Sequence, residues 1–205
     1  MALTKYKLGE LIDPCDERNA EGVYTLDDVK GISTGKEFID TKANMDGVSL
    51  SSYKVVNPQE FAYVADTSRR GEKIAIAFND SEKAILISSI YTVFRVLRTD
   101  LLNSDYLFMY FNRPEFDRYA RFNSWGSARE TFDWDTMCDI AIELPDLPIQ
   151  QKYVDIYNAM VANQQSYERG LEDLKLTFDA FIDSIKHKAT FKPISELLKE
   201  VDGRY

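Results

Sequence analysis

From Pro148 to about Lys188 the chain runs without another proline and with a single glycine, Gly170, in an almost continuous helical pattern. Ile149, Tyr153, Ile156, Met160, Asn163 and Tyr167 alternate by four and three, the spacing that holds an apolar seam on one side of a helix. Leu171, Leu174, Phe178, Phe181 and Ile185 resume that alternation after one extra step of four, a stutter that unwinds a coiled coil locally without ending it. About 39 residues at about 1.5 Å each make a rod of roughly 58 Å, longer than a small domain can cover. The stripe therefore requires another long helix, and the pattern supplies only one per chain. The eleven seam residues are accordingly expected to pair with a second chain, with Asn163 fixing register rather than binding a ligand.

The segment ahead of the rod has a different character. "SYKVV", "FAYV", "KIAIAF", "AILIS" and "YTVFRVLR" are short runs rich in Ile, Val, Tyr and Phe, separated by Asn, Asp, Ser and Gly. They predict a mostly antiparallel sheet or partly open barrel. Between Ser104 and Phe122 the spacing turns helical, with Pro114 opening a second helix, and "DIAIELP" reads as one last strand. The fold class is thus α+β: a mixed, mostly antiparallel β domain with small helices over residues 1–147, then one long coiled-coil-forming helix over 148–188. At 44% hydrophobic and 13% aromatic the chain has ample material for a core.

Residues 189–205 begin the chain again. "KPISELLKEVDGRY" laid over "YKLGELIDPCDERN" matches Glu10 with Glu196, Leu11 with Leu197, Asp16 with Asp202 and Arg18 with Arg204. Leu8 with Ile194 and Ile12 with Leu198 are conservative pairs.

Charge and reactive residues narrow the chemistry. The net charge is −9, and residues 1–147 carry 17 Lys and Arg against 25 Asp and Glu. A nucleic-acid binder of this composition must gather its cations on one surface. One concentration is visible, four arginines against two acids from Arg113 to Arg129. Cys15 and Cys138 are isolated and His187 is the only imidazole, so neither a zinc site, a disulfide framework nor a histidine-dependent triad is suggested. "GISTGKE" falls one residue short of a phosphate loop between Gly31 and Gly35, and Glu37 stands where that loop needs Ser or Thr. No charged-then-apolar leader and no apolar run of about 20 residues is present, which predicts a cytoplasmic protein without a membrane partner.

"FAYVADTSRRGEKIAIAF", "ILISSIYTVFRV" and "WGSARETFDWDTMCDIAIELPDLPIQQKYVDIYNAM", with the long helix after them, resemble the DNA specificity (S) subunit of type I restriction-modification systems. The most specific parts are Gly126 and Arg129 ahead of a strand, then "LPDLPIQQ", where Pro145, Pro148 and Gln151 follow the family's pattern. A Ser-Pro-like element is here "SSIY", without the proline. The resemblance implies one target-recognition domain and one spacer helix, with residues 189–205 the start of a truncated second repeat. It implies a half or shortened subunit, non-catalytic and binding no cofactor or metal, that dimerises through its helix. Its partners would be double-stranded DNA, a methyltransferase subunit that transfers methyl from S-adenosylmethionine to adenine N6, and a restriction subunit. Two identical readers related by a dyad would recognise a palindromic, bipartite target. The alternative is a truncated assembly or decoy protein that docks with the methyltransferase and no longer reads DNA.

The candidate DNA contacts are Ser33, Thr34 and Lys36 in "GISTGKEF", Ser68, Arg69, Arg70 and Lys73 around "TSRRGEK", and Arg118, Arg121, Asn123, Ser127 and Arg129 in the arginine-rich stretch. These are the donor types that reach phosphates and groove edges from loops. Arg118 and Arg121 are three apart on a helix and share a face. Arg129 reads equally as a clamp to an acid of "ETFDWD", and Trp125 as a core residue or as a side chain packing on sugar or base.

Overall fold

Cross-strand pairing explains the core of the recognition half. In this computed structural model, which describes residues 3–67, 73–127, 129–190, 192–196 and 198, ten strands and four α-helices follow one another. They are β1 (Thr4–Lys7), β2 (Ile12–Cys15), β3 (Lys30–Ile32), β4 (Phe38–Asp40), β5 (Lys54–Val56), β6 (Glu60–Tyr63), β7 (Ile76–Phe78), β8 (Ile85–Ile87) and β9 (Thr92–Val96). Then come α1 (Ser104–Phe111), α2 (Pro114–Phe122), α3 (Trp134–Cys138), β10 (Ala141–Leu144) and α4 (Leu147–Lys188). The chain divides into two compact units, 1–157 and 158–205.

In the first unit the strands form four antiparallel sheets rather than one sheet or barrel: β2-β9-β6-β7 at the centre, and the pairs β1-β10, β3-β4 and β5-β8. Antiparallel register puts Phe61 opposite both Phe78 and Phe94, with ring centroids 4.6 and 5.0 Å apart. Because side chains alternate across a strand, Ala62, Ala77 and Val93 face the other way. One face of the central sheet is therefore bulky, and α1, α2 and α3 pack on it through Leu107, Phe111, Phe116 and Met137. The other face is lined by small residues and closes on Ile32, Val56 and Ile87.

The strands expected between residues 52 and 98 and over 139–145 are all present, shortened or, for β6, shifted by one residue. At the N-terminus "KLGELI" forms a 3-10 turn at Leu8–Glu10, set between the end of β1 and the start of β2. The polar β1 carries little strand pattern and is fixed instead by pairing along its length with β10. Pro14 is tolerated in β2 because that strand lies at the edge of the sheet. The helices begin where the chemistry directs: Asn103 Oδ1 accepts the Tyr106 N–H at the start of α1, Pro114 occupies the first turn of α2, and Asp133 Oδ1 accepts the Thr136 N–H before α3.

The first turns of α4 belong to this unit, and Gln150 rather than the seam anchors them. Gln150 is 0% exposed; its amide donates to the carbonyls of Leu101 (2.7 Å) and Pro145 (2.8 Å) and its oxygen accepts the Asn103 N–H (2.9 Å). Val154, one turn on, is buried as well. The seam is thus not free at its beginning. Ile149 is half-buried, and the Tyr153 ring lies 6.4 Å from that of Tyr106.

The second unit holds the remainder of α4 and a 3-10 turn at Ile194–Glu196. Met160, Tyr167, Leu171, Leu174, Phe178, Phe181 and Ile185 are all exposed along this helix, as is Asn163 on the same stripe. Among the described residues no helix is long and apolar enough to cross a membrane.

Candidate nucleic-acid interface

The turn between β3 and β4 and the helix α2 build the site. Ser33 N–H donates to Glu37 O (3.0 Å) and Lys36 N–H to Ser33 O (3.1 Å), while the Ser33 hydroxyl accepts the Gly35 N–H (3.1 Å). This tight turn places Lys36 in a left-handed conformation, φ 66°, and sends its side chain inward. The Lys36 ammonium lies 2.9 Å from Asp117 Oδ1 on α2, donates to the Phe111 carbonyl and sits 5.5 Å from the centre of the Phe116 ring. Burial pulls the Lys36 ammonium below its ordinary value, and the hydrogen bond and charge of Asp117 work against that pull. Asp117 also accepts the Ile74 N–H at 3.2 Å. Lys36 is consequently a structural cation that joins two elements, not a side chain free to reach a phosphate.

Around this pair opens a cleft of about 600 Å³. Its walls include Thr34, Gly35 and Lys36 from the turn, Lys73 ahead of β7, Asn112 at the end of α1, and Pro114, Asp117, Arg118, Arg121 and Phe122 along α2. Of the predicted contacts, Thr34, Lys36, Lys73, Arg118 and Arg121 therefore meet at one place, although they come from three separate stretches. Asp117 is the single carboxylate among the described residues that line it, and Lys36 neutralises it.

The two helical arginines do share a face, but their anchors differ. Arg118 pairs with Glu115 at 2.9 Å, an exposed contact one helical turn back. Arg121 pairs with Glu130 at 2.9 Å and donates to the Thr67 carbonyl at 3.3 Å, so it clamps the loop after α2 to the segment before Ser68. The clamp to an acid of "ETFDWD" is made by Arg121; Arg129 itself is exposed.

Ser33, Asn123, Ser127 and Arg129 are not among the described residues that line the cleft. Ser33 is half-buried inside the turn. Asn123 ends α2, its amide donating to the Tyr119 carbonyl at 2.9 Å, which occupies a donor that base readout would need. Ser127 is exposed in the loop with Arg129. Ser68, Arg69 and Arg70 lie outside the described residues.

Of the two readings of Trp125 the core one fails, since the residue is 69% exposed; Phe122, absent from the predicted contacts, is 79% exposed and lines the cleft. Of α2, Phe116, Asp117 and Ala120 are buried, whereas Tyr119 and Phe122 at the same helical spacing are exposed. The Gly126 requirement has a physical basis: its φ is +144°, and a Cβ there would come within 2.0 Å of the Arg129 carbonyl oxygen.

Elsewhere the reactive groups are quiet. Burial, followed by Glu60, pushes the Cys15 thiol up to about 12, and burial also raises Cys138, so both are held as thiols. Among the described residues no group of three or more His, Cys, Asp and Glu side chains is placed to hold a metal ion.

No protein-family model and no curated protein matches the chain. Solved structures do. The HsdS subunit from Thermoanaerobacter tengcongensis superimposes with a TM-score of 0.61 at 15% identity, over 93% of this chain and 51% of that one. A chain from a type I R-M system studied for its complex assembly and conformational transition gives 0.55 at 14% identity, over 91% of this chain and 45% of that one. This chain thus spans about half the length of the structures it matches.

Proposed function

We propose that this chain, which has the fold of half a type I restriction-modification specificity subunit, is a DNA-reading specificity module that directs catalytic partners to their target. The carrying observation is the gathering of Lys73, Arg118 and Arg121 on one cleft of a chain whose net charge is −9. The net charge of such a chain repels a duplex while cations gathered at one cleft attract it, so charge orients the encounter as well as strengthening it. The chain itself supplies positioning. Methyl transfer from S-adenosylmethionine and DNA cleavage fall to methyltransferase and restriction subunits.

The exposed apolar stripe of α4 supports a second element of the proposal. Two copies pair these stripes antiparallel, burying Leu171, Leu174, Phe178 and their neighbours, and so act as two half-subunits in one reader. A dyad between identical readers makes the target an inverted repeat with a gap.

Coexpression with a type I methyltransferase subunit in a methylation-free host, followed by mapping of methylated adenines, tests this reading. A gapped palindromic motif is the expected result. An assembled complex that methylates nothing would replace it with an assembly protein that does not read DNA.

A further inference from the structure

Phe122 and Trp125 stand apart from the other large aromatics of α2 and its surroundings. Phe111, Phe116 and Phe132 are essentially fully buried, whereas Phe122 and Trp125 are the most exposed rings of the first unit. An exposed indole forgoes the burial that drives folding, yet Trp125 is held firmly. Its backbone N–H donates to Thr131 O (3.1 Å) and its backbone carbonyl accepts the Thr131 N–H (3.0 Å). The loop between them is fastened again where Thr67 N–H donates to Glu130 O (3.0 Å), and just beyond it Phe132 N–H donates to Ala65 O (2.9 Å). Glu130 of this loop is also the partner of Arg121, so the loop presenting Trp125 is tied directly to a cation of the cleft that Phe122 lines.

We infer that Phe122 and Trp125 are stacking side chains of the DNA interface: the cations hold the phosphate backbone, and the two rings pack on deoxyribose and base faces at a step that opens on binding. Charge complementarity selects the occupant, a polyanion that also offers flat apolar faces. The inference rests on the DNA-reading proposal and deepens it, because a step that must unstack is read by its deformability as well as by hydrogen bonds. The anchored backbone at Trp125 matters here, since a main chain held before binding loses little freedom when its ring stacks.

The chain contains two tryptophans, and Trp134 lies against Phe94 with ring centroids 5.4 Å apart. In a Trp134→Phe background Trp125 is the sole indole reporter. The full chain is titrated with a random-sequence duplex pool enriched by binding to it, and in parallel with heparin, a polyanion without bases. Quenching of Trp125 emission by the duplex and not by heparin is expected. Trp125→Ala should lower duplex affinity about tenfold or more with heparin affinity unchanged, and Trp125→Phe should recover most of the loss. Equal quenching by both polyanions, or duplex affinity unchanged in Trp125→Ala, overturns the stacking role. If Arg118→Gln still weakens the duplex complex in that case, the DNA-reading proposal survives alone. Absence of salt-dependent duplex binding by the unsubstituted chain overturns both.

Discussion

Lys36 Nζ lies 2.9 Å from Asp117 Oδ1 with both side chains almost wholly withdrawn from solvent, so one ion pair ties the β3–β4 turn to α2. Removing one partner strands the other charge. Lys36→Met should therefore cost about 3–5 kcal/mol of unfolding free energy. The double variant Lys36→Met/Asp117→Leu should recover much of it, because no lone charge remains buried. Urea unfolding measures both, and a single-variant loss below about 1 kcal/mol would refute the structural role given to Lys36.

Gln150 presents the neutral version of the same physics. Gln150→Ala leaves two carbonyls and one N–H without their buried partner, for an expected loss of about 3 kcal/mol. Gln150→Glu should also destabilise at neutral pH, since a carboxylate cannot donate to the Leu101 and Pro145 carbonyls. An unfolding midpoint unchanged in either variant would show that these bonds do not anchor the start of α4.

On the cleft, Lys73→Gln and Arg118→Gln should each weaken duplex binding across all sequences. Each should also flatten the dependence of log affinity on log salt by about one unit for every phosphate that the side chain had neutralised. Both side chains are exposed, so folding stability should stay within about 0.5 kcal/mol of the parent. A salt slope that does not move would place the duplex elsewhere.

The apolar stripe is best tested past its first turns, because Tyr153 packs on Tyr106 within the first unit. Met160→Asp with Leu171→Asp and Leu174→Asp would bury unpaired carboxylates in a paired seam. Light scattering should show loss of self-association, and a chain that remains dimeric would contradict the seam assignment.

Asp133 links stability to pH. Thr136, through its hydroxyl and then its backbone N–H, holds the Asp133 carboxyl below its ordinary value of 3.8. A folded value below the unfolded one contributes stability that is complete above 3.8 and disappears as pH falls through the lower folded value. Asp133→Ala should cost about 1 kcal/mol at neutral pH, with the gap to the parent closing in acid. A loss that stays constant down to the lowest pH would argue against the cap.

By itself the sequence determined those features that depend on neighbours along the chain. Heptad spacing after Pro148 specified α4, since an apolar residue every three or four positions defines one helix face without reference to anything else. The β-branched and aromatic runs located β5 to β10, and the arginine-rich stretch pointed to α2 as half of the cleft. Tertiary structure decided what depends on residues far apart. β1 is a strand because β10 pairs with it, Lys36 is buried because Asp117 waits on a distant helix, and Gln150 is an anchor because Leu101 and Asn103 turn their backbone groups toward it. Whether an aromatic at the end of α2 faces the core or the solvent is likewise set by which side of the helix the central sheet occupies, so Phe116 is buried and Phe122 is not. Periodicity names the faces of an element; only packing assigns each face to core, partner or solvent, because the free energy of burial belongs to the contact and not to the residue.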